Sequence, residues 1–252
     1  MVPPKKAVRE SSSEPERGVK RTIERVPTGI VEFDKMVQGG LVRKSTNLIA
    51  GSAGAGKTVF AIQYLVSGIE KYDEVAMYLT FEERKESLYD DMREFGWDLA
   101  KYEREGKFIF LHYKPEQMMK IITDGGGVVE TIISESKVKR MVIDSITSFS
   151  LLYKDVLGKK EAALELFDLV SKWGVTCLLT SEEESAYEKT MAASLEFEVD
   201  GIIIMYHAKL KGKRIRALEI LKMRGTDHSP DTVEVDITKR GLEIKPDKIV
   251  DL

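Results

Sequence analysis

The chain has 252 residues, of which 42% are hydrophobic and 32% are charged, and its formal net charge is −3. This composition is typical of a soluble globular protein and excludes a largely disordered chain. The nearly balanced charge gives no overall attraction to nucleic acid or to membranes, so any nucleic-acid surface has to be a local patch.

Particular residue types narrow the possibilities further. Cys177 is the single cysteine and lies in an apolar run, so we expect no internal disulfide and a buried, unreactive thiol. The three histidines lack the cysteine neighbours of a zinc site. No apolar run is long enough to span a bilayer and no secretory signal is found, so we expect a cytoplasmic protein without membrane insertion. One asparagine, few glutamines and abundant Lys, Arg and Glu lean toward a thermophile.

Residues 1–22 are predicted to form a disordered, charged tail that precedes one globular domain over residues 23–252. The tail contains prolines, the run Ser11-Ser12-Ser13 and many charges, and it cannot bury enough apolar surface to become ordered. Its basic residues outnumber its acidic ones, so it is either a solvated tail or a basic arm that touches nucleic acid. The composition favours the solvated tail.

Within the domain, apolar runs of strand length alternate with segments of helical periodicity. In chain order we predict strands at 46–50, 75–81, 108–112, 141–143 and 175–180, helices at 59–72, 86–95, 128–135 and 161–173, and a glycine loop at 124–127. Two antiparallel hairpins follow, pairing 201–208 with 215–223 and 233–237 with 242–244. The predicted fold is therefore α/β, a mainly parallel twisted sheet flanked by helices with antiparallel hairpins at one edge.

The strongest chemical signal is the run Gly51-Ser52-Ala53-Gly54-Ala55-Gly56-Lys57-Thr58 between a predicted strand and a predicted helix. It matches the P-loop pattern, in which glycines let backbone N–H groups converge on phosphate oxygens at the start of a helix. Lys57 would reach the β- and γ-phosphates, and the Thr58 hydroxyl would bind Mg²⁺. The sequence therefore predicts a site for ATP or ADP with Mg²⁺.

Asp144 ends the apolar strand that begins near Met141. At the carboxyl end of a parallel strand its side chain would point into the crevice that holds the phosphates. We expect a water-mediated contact with Mg²⁺. The alternative is that Asp144 only caps a helix.

The acidic pair Glu82-Glu83 closes another buried strand. A carboxylate at this place can orient an attacking water or accept its proton, and two adjacent carboxylates need partners or a metal. The alternative is two solvated acids at a helix start, where the helix dipole favours them. With a P-loop in the chain, the catalytic interpretation is favoured.

The run from Lys222 to His228 holds two cations, Lys222 and Arg224, which strand alternation would place on one face. Alone, such a pair is usually a solvated edge. Taken with the other motifs, however, it resembles the KaiC-like branch of the RecA superfamily, over about residues 26–245. The segments that carry the resemblance are Val26-Pro27-Thr28-Gly29-Ile30, Phe33-Asp34, Gly39-Gly40-Leu41, Thr80-Phe81-Glu82-Glu83, Phe95-Gly96-Trp97-Asp98, Val199-Asp200-Gly201-Ile202, Lys222-Met223-Arg224-Gly225-Thr226 with His228, and Asp236-Ile237-Thr238.

The resemblance implies a RecA-like P-loop ATPase that works as a ring, usually a hexamer, with ATP at the interface between subunits. Lys222 and Arg224 would bind ATP in trans, reaching the γ-phosphate held by the neighbour. Glu82 would prepare the water, and Glu83 would assist it or lie near Mg²⁺. Slow turnover that switches contacts with an unidentified protein partner is expected from the family.

The sequence also departs from the family. The family's clock proteins carry two such domains in tandem, whereas this chain has room for one. Glu196-Phe197 stands about where those proteins carry a phosphorylated Ser-Thr pair, which argues against an autophosphorylating kinase. Val42-Arg43-Lys44 replaces the usual Pro-x-Gly, and we expect only a local change in that loop.

Two other functions stay open. Some relatives act as ATP-binding scaffolds with little turnover, as in the archaellum-associated kind, although the retained glutamates and cations favour an enzyme. A recombinase paralogue in DNA repair is not favoured, because the loop between Ser181 and Glu198 is rich in glutamate and would repel nucleic-acid phosphates. Any DNA contact would use the basic tail or the cations of the first hairpin's turn, Lys209, Lys211, Lys213 and Arg214, which are otherwise a solvated turn.

Overall fold

The computed structural model describes residues 23–150, 152–153, 155–182 and 198–252. The predicted tail, most of the acidic loop and the pair Glu196-Phe197 lie outside the described residues. The first part of the domain contains β1 (Arg25–Val26), α1 (Val31–Met36), β2 (Leu41–Val42), β3 (Thr46–Gly51), α2 (Lys57–Tyr72), β4 (Val75–Thr80), α3 (Lys85–Arg93), α4 (Leu99–Arg104) and β5 (Phe108–His112).

The second part begins with two helices on one face of the sheet and ends with the hairpins. It contains α5 (Pro115–Thr123), α6 (Gly127–Ser136), β6 (Val138–Asp144), α7 (Ile146–Ser150), α8 (Val156–Trp173), β7 (Thr176–Glu182), β8 (Gly201–Leu210), β9 (Lys213–Met223), β10 (Val233–Thr238) and β11 (Gly241–Ile249). The predicted strands and helices are all present, with bounds that differ by a few residues.

The described residues form one nine-stranded sheet in the order β11-β10-β9-β8-β3-β7-β6-β4-β5, and a small sheet of β1 with β2. Neighbours from β8 to β5 are parallel, and the pairs β8–β9, β9–β10 and β10–β11 are antiparallel. The expected α/β fold with antiparallel hairpins at one edge is therefore confirmed. β8 is the strand at which the sheet changes from parallel to antiparallel pairing, because it runs parallel to β3 and antiparallel to β9.

Both faces of the parallel strands are covered, which explains their continuous apolar sequences. Adjacent residues of β3 point to opposite sides, so Ile49 packs into the core that contains Phe60 of α2, whereas Leu48 packs into the core that contains Leu166 of α8. Cys177 of β7 is fully buried in the second core, and burial raises the pKa of its thiol. This agrees with the predicted unreactive cysteine.

The strand bound predicted at Met223 is correct, but the expected placement of Lys222 and Arg224 on one strand face is not. β9 ends at Met223, so Arg224 lies in the turn beyond the strand, and strand alternation does not set its direction. A bulge in the pairing of β8 with β9 places Lys222 opposite Ile202 and Ile220 opposite Ile203. The sequence pattern contained no signal for this bulge. Among the described residues, no helix combines the length and the apolar character needed to cross a membrane.

Candidate nucleotide site

The P-loop lies where the sequence predicts it, between the end of β3 and the start of α2. Gly54 and Gly56 have φ values of 75° and 107°, a left-handed conformation that favours glycine. Gly51 passes so close to the carbonyl of Met205 on β8 that a side chain there would meet backbone. Glycine is therefore required by the sheet packing at Gly51 and by the backbone turn at the other two positions.

Lys57 begins α2 and is nearly buried. Its Nζ donates to the carbonyl oxygens of Gly51, at 2.8 Å, and of Ser52, at 3.1 Å. These bonds hold the ammonium group against the P-loop. Because the first turn of α2 also directs its backbone N–H groups here, the charge of Lys57 adds to the positive end of the helix dipole.

Asp144 accepts hydrogen bonds from three side-chain hydroxyls. Its Oδ2 lies 3.2 Å from Oγ1 of Thr58 and 2.6 Å from the hydroxyl of Tyr78, and its Oδ1 lies 2.5 Å from Oγ1 of Thr180. These contacts aim the carboxylate at the P-loop and favour the predicted metal-site interpretation over that of a helix cap. The pKa of Tyr78 is raised, first by burial and then by the charge of Asp144.

The acidic pair follows β4 and turns back over its last residue, since Oγ1 of Thr80 accepts hydrogen bonds from the backbone N–H groups of Glu82, at 3.2 Å, and Glu83, at 3.1 Å. The carboxylate of Glu82 accepts a hydrogen bond from Ser148 of α7. α3 begins only at Lys85, so neither glutamate belongs to its first turn.

The pKa values of both glutamates are raised. Burial, then the charges of Glu182 and Asp144, raises the pKa of Glu82 above its ordinary value. Burial also raises the pKa of Glu83, followed by Asp144, Asp91 and Glu82. A nearby cation would stabilise the ionised form of carboxylates that lie so close to one another.

The P-loop, the acidic pair and Asp144 line one cavity of about 350 Å³. It opens at the carboxyl ends of the parallel strands, where ligands bind in open α/β sheets. Its lining contains Ala53, Gly54, Gly56, Lys57, Thr58, Val59, Glu82, Glu83, Asp144, Ser145, Glu182, Arg216 and Ile237. The sequence-predicted P-loop, acidic pair and strand-end aspartate are thus brought together.

The cavity also contains side chains that the sequence analysis missed. Arg216 of β9 lies in its wall and donates from Nε to the carbonyl oxygen of Gly54 at 2.8 Å. Glu182 ends β7, and Ile237 comes from β10. These residues reach the P-loop because β7 and β8 flank β3 and because β9 and β10 follow β8 in the sheet, an order that the sequence pattern does not define.

Lys222 and Arg224 lie at the other end of the same sheet. Met223 pairs with Gly201 and Gly201 with Asn47, at the start of β3, whereas Gly51 at the end of β3 pairs with Met205. Four strand residues separate the two levels, roughly 13 Å at about 3.3 Å per residue. Lys222 donates to the carbonyl oxygen of Val199 at 2.9 Å. The two cations therefore do not line the cavity of their own chain.

The residues of the cavity fit a magnesium ion that is bound together with nucleotide. Mg²⁺ in such sites uses one or two protein oxygens and takes most other ligands from phosphates and water. The hydroxyl of Thr58 and the carboxylate of Asp144 offer those oxygens side by side. In the described part of the chain, no group of three or more His, Cys, Asp or Glu could hold a metal by itself.

The sheet order, the P-loop and the strand-end aspartate define a P-loop nucleotide-binding protein of the RecA type. The family model described as "ATPase: KaiC" matches residues 26–249, so the chain belongs to the KaiC-like ATPases of the RecA superfamily. This membership supports ATP binding, and it confirms the resemblance found in the sequence.

Individual relatives agree. The circadian clock protein KaiC3 of Synechocystis sp. is 34% identical over 242 residues, which are 91% of this chain but 47% of that protein. The chain thus spans about half the length of the clock relatives. MJ1359 of Methanocaldococcus jannaschii is 31% identical over 91% of this chain and 100% of its own length. The crystal structure of the KaiC-like protein PH0186 from Pyrococcus horikoshii superimposes with a TM-score of 0.79 at 32% identity, covering 89% of this chain and all of that one.

Proposed function

We propose that this protein is a magnesium-dependent ATPase whose site is completed by a neighbouring copy of the chain in a ring. The observation that carries the proposal is the single cavity that joins Lys57, Thr58, Asp144 and the acidic pair. These are the groups needed to hold a triphosphate and to prepare water for attack on it. Family membership independently supports ATP binding.

Each side chain has a role in this proposal. The P-loop backbone, from Gly51 to Thr58, holds the phosphates, and Lys57 contacts the β- and γ-phosphates. Thr58 and Asp144 would hold Mg²⁺, Asp144 through water, and Glu83 would assist at the metal. Glu82 orients the attacking water. When bound, Mg²⁺ would neutralise phosphate charge.

In the hydrolysis step the water oxygen forms a bond to the γ-phosphorus, and the bond from that phosphorus to the β–γ bridging oxygen breaks. The bridging oxygen keeps the electron pair and leaves as part of ADP. The water proton passes to the carboxylate of Glu82 and then to inorganic phosphate. Such base catalysis contributes typically about 10²- to 10⁴-fold in rate.

The second half of the site would come from Lys222 and Arg224 of the adjacent copy. Their place at the far end of the sheet from their own P-loop suits contacts between unlike faces, which close into a ring when the rotation per subunit closes. Their charges would stabilise the γ-phosphate in the transition state. A hexamer is the proposed assembly, by analogy with the family.

Slow hydrolysis in this arrangement would switch the ring between nucleotide states that contact a further protein. Cytoplasmic location and thermophilic origin stay predictions from the sequence. The chief alternative is an ATP-binding scaffold with little turnover. Nucleic acid as a partner is not favoured.

The test measures phosphate release from ATP with magnesium, together with the mass of the particle in the same buffer, for the wild type and Glu82→Gln. We expect turnover by a ring-sized particle in the wild type, and a loss of about 100-fold or more with retained ATP binding in the variant. Tight ATP binding without turnover in both proteins would instead support the scaffold. Turnover by a monomer would contradict the shared site.

A further inference from the structure

The turn that carries Arg224 is held by an arginine about two hundred residues earlier in the chain. Arg25 of β1 donates from Nη1 to Oγ1 of Thr226 at 2.7 Å and from Nη2 to the carbonyl oxygen of Gly225 at 3.1 Å. The same guanidinium lies 3.4 Å from the carbonyl oxygen of Gly40 and 3.4 Å from Oε1 of Gln38. It therefore joins the turn after β9 to the turn before β2.

The other side of the turn is held by Asp200. The backbone N–H of Arg224 donates to the carbonyl oxygen of Asp200 at 2.8 Å, and Nη1 of Arg224 lies 3.8 Å from Oδ1 of that residue. Asp200 is itself fixed to the start of β3, because its Oδ2 accepts from the backbone N–H of Thr46 at 2.9 Å. Arg224 therefore has a backbone anchored on both sides and a side chain that is 54% exposed.

The geometry points to Arg25 as a positioning residue for the trans-acting Arg224. By fixing Gly225 and Thr226, Arg25 sets the direction in which the side chain of Arg224 extends from the turn. This inference rests on the proposed function, in which Arg224 reaches the nucleotide of a neighbouring copy. It also gives β1 a role in the site of another subunit.

The chemistry explains why arginine stands at position 25. Its planar guanidinium offers five donors in a fixed fork, so one group can serve the hydroxyl of Thr226 and the carbonyl of Gly225 together with the acceptors on the β2 side. A lysine carries a compact charge on a flexible stem and would not fix two acceptors in one geometry. Gly225, with φ of 65°, makes the turn at this point, and its carbonyl oxygen accepts from Nη2 of Arg25.

The effect of losing Arg25 is expected at the neighbour's site and not at the chain's own P-loop, which lies at the opposite end of the sheet. Small displacements of a group that acts on the transition state have large kinetic effects. Arg25→Ala should therefore lower kcat by about ten-fold or more, while ATP affinity stays within about two-fold of the wild type. Arg25→Lys should recover part of the loss.

The decisive experiment mixes variants and measures phosphate release by the mixed rings. Arg25→Ala subunits keep their own catalytic glutamate, and Glu82→Gln subunits keep their Arg224 turn. An interface between the P-loop of the first and the turn of the second is complete, so the mixture should recover turnover. A mixture of Arg25→Ala with Arg224→Ala has no intact turn and should recover none.

Controls separate this outcome from a general loss of structure. Arg43→Ala removes an arginine of the same region that pairs with Glu24 through Nε at 2.6 Å and lies 4.0 Å from Glu74 through Nη2. Its ion pairs in the described part of the chain do not include the turn, so the variant should keep wild-type turnover. Thr226→Val removes one acceptor of Arg25. If the two residues act through their hydrogen bond, the double variant should lose little more than Arg25→Ala alone.

The mixture of Arg224→Ala with Glu82→Gln is the benchmark for the shared site. If that pair fails to recover turnover, the result contradicts both the proposed shared site and the inference that rests on it. If the benchmark pair recovers and the Arg25→Ala pair does not, only the inference is overturned. Wild-type turnover in Arg25→Ala alone would overturn it as well.

Discussion

The hydroxyl of Thr58 lies 3.2 Å from Oδ2 of Asp144, although 86 positions separate the two residues in sequence. One residue comes from the P-loop and the other from the end of β6, and their oxygens face the same cavity. We therefore predict that both contribute to one magnesium site. Thr58→Ala and Asp144→Asn should each raise the magnesium concentration needed for half-maximal turnover by about ten-fold or more. The first removes the hydroxyl proposed to contact the metal, and the second removes the carboxylate charge proposed to hold it through water.

A magnesium titration of phosphate release at fixed ATP checks this prediction. Thr180→Val is the matched comparison, because it removes a hydroxyl that contacts Asp144 but does not belong to the cavity lining. Its effect should be smaller than that of Thr58→Ala. Equal magnesium dependence in the wild type and both site variants would contradict the assignment.

Lys57→Ala should remove most of the affinity for ATP. The ammonium group is nearly buried against the carbonyl oxygens of Gly51 and Ser52, so it is already placed at the loop that would hold the phosphates. A hydrogen bond to a charged group contributes about 1.5–3 kcal/mol, which corresponds to roughly a ten- to hundred-fold weaker Kd. Calorimetric titration of ATP into Lys57→Ala measures this. Lys71→Ala, at the far end of the same helix, should bind ATP as the wild type does.

Substitutions of Glu82 and of Glu83 should have different effects on turnover. Glu82→Gln removes the proposed base, so turnover should stay low at any magnesium concentration. Glu83→Gln removes a carboxylate proposed to assist at the metal, so excess magnesium should restore part of its turnover. Measuring phosphate release for both variants across a magnesium titration tests the division. If excess magnesium rescues Glu82→Gln instead, the two roles have to be exchanged.

Many residues of this site can be recognised in the sequence, because they belong to short contiguous motifs or end an apolar strand. The P-loop is a contiguous run whose glycines, lysine and threonine lie in the predicted place between β3 and α2. The two acidic elements each end an apolar strand, and parallel strands bring their carboxyl ends to one edge. These features depend on short-range pattern and on strand direction, so sequence reasoning reaches them.

The rest depends on which strands become neighbours. Arg216 reaches Gly54 only because β8 lies beside β3 and carries β9 with it, and Thr180 reaches Asp144 because β7 lies beside β6. No spacing in the chain encodes that order. β1 and β2 have two residues each, too few for a detectable alternation, so the contact of Arg25 with Thr226 was also beyond prediction.

Stability should depend on pH through the acidic pair when nucleotide and metal are absent. The pKa of Glu82 and that of Glu83 are both raised in the folded protein, with burial as the first cause. The folded state therefore holds these protons more tightly than the unfolded chain, and the free energy of unfolding falls as pH rises through the folded-state pKa values. Above those pKa values the ionised pair lowers stability.

Glu82→Gln combined with Glu83→Gln removes this dependence. At a pH above the folded-state pKa values the double variant should melt at a higher temperature than the wild type, and the gap should narrow as the pH falls through those values. Thermal melts across an acidic pH series, without nucleotide or metal, measure the gap. A double variant that is less stable than the wild type at the high-pH end of the series would show that contacts of the ionised pair outweigh its repulsion.

The last prediction concerns a glycine inside α2. Gly68 lies against the side chain of Arg140, which would contact a Cβ added at that position. Arg140 is 1% exposed and is fixed by Glu74 at 2.5 Å, by the carbonyl oxygen of Pro27 at 2.6 Å and by that of Tyr64 at 2.9 Å. It cannot move aside without breaking a buried ion pair.

Two effects oppose each other in Gly68→Ala. Alanine favours a helix interior over glycine by about 1 kcal/mol, whereas overpacking a core typically costs about 1–3 kcal/mol. Because Arg140 is held on three sides, we expect the overpacking to exceed the helical gain, so that Gly68→Ala lowers the free energy of unfolding. Gly127→Ala in α6 is the control, since a Cβ there meets no atom within 4 Å, and it should be neutral or stabilising. Denaturant unfolding of both variants decides the matter, because a stabilised Gly68→Ala would mean that Arg140 can leave its place.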